Sequence, residues 1–157
     1  MNKKWFHYLA QFYKSIGRER VILDREMQEP YMIRYCLLRT RWIERFFPSL
    51  SINICLHKFR QSDEDGLHDH PWDAYAKILT GGYWETTPEG TFWRGPGGWR
   101  KIAKTDYHRI ELDPEKAGGD TWTLFLMKRR EKEWGFQDKD GNWVQWWEYI
   151  HHREKYI

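Results

Sequence analysis

Cysteine is scarce: the chain of 157 residues holds Cys36 and Cys55 and no others. Two cysteines without CxxC spacing exclude a disulfide-built scaffold and a four-cysteine zinc module, and a reducing cytoplasm is the expected compartment. Long apolar runs are missing too. No stretch approaches about 18 uninterrupted apolar residues, so no membrane span is expected. The opening MNKKWFHYLAQFYKSIGRER mixes charge with aromatics and lacks the apolar core and small-residue cleavage site of a secretory leader. Excess charge of one sign is slight, at +3, which permits anionic ligands without demanding nucleic acid. Internal repeats, low-complexity linkers, a phosphate-cradling glycine loop, a dinucleotide fingerprint and a serine–histidine–aspartate pattern are all absent.

Aromatic residues, in contrast, make up 18% of the chain and include 11 tryptophans, large surfaces for burial or stacking. The length suits a single domain spanning residues 1–157 that buries about two thirds of its unfolded surface. Trp5, Leu9, Phe12 and Ile16 recur at helical spacing ahead of Gly17, predicting an amphipathic helix over residues 3–16 that packs on the domain body. The period then changes to that of strands. SLSINICLHKF alternates Ile52, Ile54 and Leu56 against Asn53, Cys55 and His57. Further strand-like segments are PYMIRYCLL, DAYAKILT, YWETT, TFWRG, WRKIAK, YHRIEL and TWTLFLMK, separated by TGG, TPEG, GPGG and DPEKAGG. DKDGNWVQWWEY carries hairpin turn chemistry. One helix followed by many short strands predicts an all-β sandwich or barrel. The segments 1–50, 51–128 and 129–157 read as a helix with added strands, a core, and a tryptophan-rich extension that caps it.

Two histidines interrupt this pattern. In GLHDHPWDAYAKILTGG, His68 and His70 are one residue apart. On a strand they would share a face with Cα atoms about 6.6 Å apart, close enough for two imidazoles to converge on one ion. A lone pair of this kind is commonly an ordinary polar loop. KTDYHRIEL supplies a third ring: His108 opens a strand segment that a hairpin connection can return beside the first pair.

With these residues in view, the sequence resembles the cupin superfamily. The first motif of that superfamily, G-x5-HxH-x4-E-x6-G, matches at His68, His70 and Gly82. The second, G-x5-PxG-x2-H-x3-N, matches at Gly97 and His108, with 14 residues between Gly82 and Gly97. The resemblance covers residues 51–128 and implies a jelly-roll β-sandwich with a metal held by His68, His70 and His108. The departures are Ser62 for the leading glycine, Ala103, Thr105 and Leu112 in the second motif, and Tyr75 where the glutamate ligand belongs. Three arrangements stay open: three imidazoles with Tyr75 beside the metal, as in the thiol dioxygenases of the superfamily; Asp73 reaching the metal through a bulge; or no metal. Three neutral ligands would leave a divalent ion its full charge, whereas a carboxylate would give the two-histidine-one-carboxylate set of oxygen-activating ferrous iron. Either set leaves open positions, the mark of a reactive site. Iron is preferred by family analogy; imidazole equally suits zinc, manganese, nickel and copper.

Around that site, Arg60 is a candidate clamp for a substrate carboxylate or phosphate, and Tyr75 a candidate hydrogen-bond donor. Lys77 and Glu85 share the parity of Tyr75 if no bulge intervenes. Trp72 and Trp84 read as core. His57 reads as an ordinary strand residue, Cys55 as structural, and His151 and His152 as a polar tail. RTRWIERFFP and MKRREKEWGF interleave basic and aromatic residues, but Glu44, Glu131 and Glu133 dilute the charge, so a solvated surface is expected there instead of a nucleic-acid groove. The expected function is metal-dependent, dioxygenase-like chemistry on a small molecule. A ligand-sensing module and an accessory protein acting on nucleotides or nucleic acid are the alternatives, and pairing into a homodimer is plausible by analogy.

Overall fold

A computed structural model describes residues 5–24, 28–40, 43, 45–47 and 50–157. Residues 3 and 4 of the expected first helix, and Glu44 with much of the RTRWIERFFP stretch, lie outside the described residues. The fold is all-β with few helices. Helix α1 (Trp5–Ser15) precedes β1 (Glu19–Leu23), β2 (Pro30–Arg39), β3 (Asn53–Phe59), β4 (Ala74–Thr80), β5 (Tyr83–Thr87), β6 (Gly90–Arg94), β7 (Arg100–Ile102) and β8 (Arg109–Leu112). Then come α2 (Pro114–Ala117), β9 (Trp122–Met127), β10 (Gly135–Gln137), β11 (Trp143–Gln145) and α3 (Trp146–His151). Six strands form one antiparallel sheet in the order β1-β2-β3-β9-β4-β7, three form a second in the order β6-β5-β8, and β10-β11 is the expected terminal hairpin. No helix among the described residues is long and apolar enough to cross a membrane.

The two larger sheets face each other. Met32, Phe59 and Ile78 from the six-stranded sheet pack against Tyr83 and Ile110 from the three-stranded one. A second inner cluster joins Cys36, Cys55, Ala74, Ala76, Ile102, Phe125 and Met127. Cys36 and Cys55 are free thiols facing each other across β2 and β3, and burial pushes the Cys55 thiol up to about 12, so both serve as small core residues. Leu56 points to the opposite surface, under α1, with Tyr35 and Trp122. The alternation read along β3 is therefore present: Cys55, His57 and Phe59 face the interior between the sheets, and Leu56 faces the helix.

Helix α1 also buries a different stripe from the expected one. Phe6, Ala10 and Tyr13 pack on the sheet, with the Phe6 ring 5.2 Å from that of Trp122, while Trp5, Phe12 and Ile16 are exposed. Aromatic residues on every side of this helix leave its period ambiguous, and the sheet selects the face whose Ala10 lets the backbone approach. Two short helices stand where turns and a polar tail were expected. Asp113 caps α2 by accepting from the Lys116 amide at 3.0 Å, and α3 places Tyr149 beneath Phe136.

Between β4 and β5 the chain leaves one sheet for the other at Gly81 and Gly82. Gly81 has φ 73°, and a Cβ there would lie 2.7 Å from the Asp120 carbonyl oxygen. Left-handed backbone and a clash with main chain combine at this position. Gly81→Ala is expected to cost about 2–4 kcal/mol in urea unfolding, with an unchanged urea dependence.

Candidate metal centre

Backbone pairing, more than strand regularity, brings the three histidines together. His68 lies outside any regular strand, yet its amide donates to the His108 carbonyl at 2.9 Å and the His108 amide donates back at 3.0 Å. This two-way bridge anchors the HxH loop to the start of β8. Asp63 extends the anchor: its carboxylate accepts the Ile110 amide at 2.6 Å and the Tyr31 hydroxyl. Between the two histidines, Asp69 turns the other way and is buried. It accepts from the Gly135 amide at 2.8 Å and from the Trp143 indole at 3.1 Å, and pairs with Lys132. The HxH alternation is thus enforced from both sides, with rings into the barrel and the carboxylate tying down the terminal hairpin.

His68, His70 and His108 each offer a ring nitrogen, and these lie within 4.8 Å of one another. Nε2 of His70 and Nε2 of His108 are 2.9 Å apart. Two nitrogens bound at about 2.05 Å from one ion, at a right angle, stand about 2.9 Å from each other. The pair therefore has the span of two neighbouring ligands. Burial holds the His70 imidazole well below its ordinary protonation range, helped by its neighbours His108 and His68. Burial also lowers His68, partly opposed by Asp63. Neutral rings are the metal-binding form. Their surroundings are apolar: Trp72 stands edge-on to His70 at 4.8 Å between ring centroids, and Trp134 and Phe136 flank His68.

Behind His108 stands Glu85, 2% exposed, its Oε1 2.8 Å from His108 Nδ1. Glu85 also receives Arg94 Nε at 2.8 Å and both terminal nitrogens of Arg100. Burial opposes its ionisation, but the hydrogen bonds from His108 and Arg100 and the Arg100 charge outweigh burial and hold the carboxyl far below its usual range. An ionised carboxylate only accepts, so His108 donates from Nδ1 and turns Nε2 toward the cluster. A carboxylate–histidine arrangement of this kind fixes ring orientation and raises ligand basicity. Donor set, spacing and supporting carboxylate all fit a divalent cation. Beside His108 a cleft of about 370 Å³, lined by Glu85, Arg94, Arg100 and Tyr107 among others, opens to solvent.

The structure does not bring the other expected site residues to this cluster. Tyr75 is 39% exposed on the outer face of β4, because it has the opposite parity to His70, and Ala74, Ala76 and Ile78 keep the inward side. The Asp73 carboxylate accepts the Lys104 amide at 3.0 Å. Arg60 is an exposed residue at the end of β3, 4.0 Å from Asp120. Trp84 lies over Lys116 and donates to Asp113. Three residues that sequence reasoning passed over or placed elsewhere belong here. Glu85 and Arg100 join the two sheets behind His108. His57 faces the interior and accepts a hydrogen bond from Arg34, and burial with the Arg34 charge holds it neutral.

No protein-family model matches the sequence, and no curated protein does. Solved structures do. A cupin-2 domain from Rhodospirillum rubrum aligns over 78% of this chain and 78% of its own, with TM-score 0.56 and 12% identity. The polyketide cyclase RemF from Streptomyces resistomycificus aligns over 85% of this chain and 89% of its own, with TM-score 0.53 and 16% identity. The structure of FeII HppE aligns over 71% of this chain and 57% of its own, with TM-score 0.51 and 14% identity. The chain has the cupin fold.

Proposed function

We propose that this cupin-fold chain is a mononuclear metal enzyme acting on a small molecule, with ferrous iron as the preferred ion and oxidative, dioxygenase-like chemistry as the preferred reaction. The observation that carries the reading is the cluster of His68, His70 and His108, three imidazole ligands without a carboxylate among them, backed by Glu85. A divalent ion held there would supply Lewis acidity and, as iron, redox chemistry with dioxygen, and three protein ligands would leave it open positions. The chain's own share is to present neutral rings, to keep the proton of His108 on Nδ1, and to exclude water with Trp72, Trp134 and Phe136. The cleft beside His108 is the approach route for a substrate. The fold shared with a polyketide cyclase and with FeII HppE supports this reading.

The test is reconstitution of the metal-free chain with iron, zinc, manganese, nickel or copper, followed by dioxygen uptake across a panel of small organic acids. The reading expects one ion per chain and substrate-stimulated uptake by the iron form alone. Stoichiometric metal with saturable ligand binding and no turnover would assign the chain as a sensor and overturn the enzymatic reading.

A further inference from the structure

Helix α1 serves the fold with only one of its sides. Phe6, Ala10 and Tyr13 pack on the sheet. Trp5, Tyr8, Phe12 and Ile16 follow one another at steps of three, four and four residues and form a separate stripe in solvent, with Tyr8 69% exposed. The Ile16 amide donates to the Phe12 carbonyl at 3.2 Å, which carries the helical path past Ser15. Val21, exposed on the edge strand β1, pairs with Ile33, and Ile33 packs with Phe6; Val21 thus adds an apolar group on the same side of the sheet as the helix.

A second exposed apolar group stands at the end of β2 nearest this helix. The Leu37 carbonyl accepts from the Tyr13 hydroxyl at 3.1 Å and from Arg18 Nη1 at 3.4 Å, so the C-terminal half of α1 lies where β2 runs out. Just beyond, Thr40 Oγ1 donates to the Ile52 carbonyl at 2.8 Å and accepts the Ile52 amide at 2.6 Å, drawing together the two arms of the β2–β3 connection. Phe46, Phe47 and Leu50 on that connection are exposed, Phe46 by 72%. The Ile43 carbonyl holds their turn by accepting from the Phe46 and Phe47 amides at 2.9 and 2.8 Å. None of these apolar side chains lines the cleft beside His108.

Charge is concentrated in the same two stretches. Residues 1–20 hold five lysines and arginines against Glu19, and residues 39–50 hold three against Glu44, a net excess of six in a chain whose whole net charge is +3. Glu19 is paired with Lys14 at 3.4 Å, and α1 itself carries no acid. Apolar exposure on this scale marks a docking face. A bilayer surface matches it on both counts, since the acyl boundary takes the apolar groups and anionic headgroups take the charge. A second copy of the face would set cation against cation. Single-stranded nucleic acid would stack on the rings but would give Ile16, Val21 and Leu50 nothing to bury against. We propose that the outer stripe of α1, together with the Phe46–Phe47 turn, docks the chain peripherally on an anionic lipid bilayer.

The test is flotation of the full chain with vesicles of phosphatidylcholine alone and of phosphatidylcholine containing about 30 mol% phosphatidylserine. At about 0.1 M salt the anionic vesicles should bind at least about tenfold more tightly than the neutral ones, and about 0.5 M salt should remove most of that difference. Tyr8→Ser combined with Phe12→Ser should weaken binding by at least about tenfold while circular dichroism stays like wild type, because neither ring belongs to the packed side of the helix. Phe46→Ser combined with Phe47→Ser should do the same, so the test stands even where the helix variant fails to fold. No flotation, equal binding to the two vesicles, or wild-type binding by both variants overturns the proposal. A concentration-dependent dimer that the same substitutions abolish, in a chain that ignores vesicles, overturns it in favour of a second copy. Salt-sensitive binding to oligothymidylate without flotation overturns it in favour of nucleic acid.

Discussion

Replacing His108 with alanine should empty the metal centre while leaving the fold standing. Metal analysis of the untagged protein should fall from about one ion per chain to near zero, an affinity loss beyond the 10–100-fold that removal of an outer-shell partner alone causes. The fold survives because what ties residue 108 to the barrel is main chain: its amide and carbonyl pair with those of His68 and do not depend on the ring. Glu85 loses one donor but keeps Arg94 and Arg100. Wild-type-like circular dichroism and unfolding together with absent metal is the expected pair of results, and full occupancy in the variant would remove residue 108 from the ligand set.

The second large effect belongs to Glu85, which does two jobs with one carboxylate. It orients His108 and supplies the counter-charge for two arginines, Arg94 from its own sheet and Arg100 from the facing one. Glu85→Leu should destabilise the chain by about 3 kcal/mol, the low end of what breaking a buried ion pair costs, because Arg94 and Arg100 keep about a third of their side-chain surface in solvent. It should also weaken metal binding by about 10–100-fold, because Nδ1 of His108 loses the acceptor that fixes its tautomer. Glu85→Gln keeps the shape and removes the charge. It separates the two effects: stability should recover only in part, since the amide leaves one positive charge fewer matched. Denaturant unfolding and metal titration of the two variants check both numbers. Unchanged metal affinity in Glu85→Leu would reduce Glu85 to a purely structural ion pair.

Much of this centre was legible from spacing. His68, Asp69 and His70 alternate as a strand would, and the turn-bounded segment containing His108 returns beside them. The fold class followed from many short strand segments after one helix. Less visible was which side of a strand faces in. β3 is buried on both faces, because α1 covers the one opposite the barrel, so the alternation did not say which face lines the site and His57 read as an ordinary strand residue. Parity also fails where the backbone leaves the sheet. Glu85 was tied to the parity of Tyr75 by counting through Gly81–Gly82, where the chain changes sheets. Tyr75 was placed at the site by its position in the family motif, five residues after His70, although that odd step along a strand turns it outward, as the structure has it. Arg34 carried no local signal, since an arginine in PYMIRYCLL reads as an ordinary solvent-facing position in an alternating strand. Only the register with His57 shows it turned inward.

X-ray absorption at the metal edge of the reconstituted chain tests the convergence of the three rings most directly. The account predicts three imidazole nitrogens at about 2.0–2.2 Å around a single ion, falling to two in His108→Ala where any ion is retained. A first shell without imidazole scattering, or one unchanged by the substitution, would contradict it.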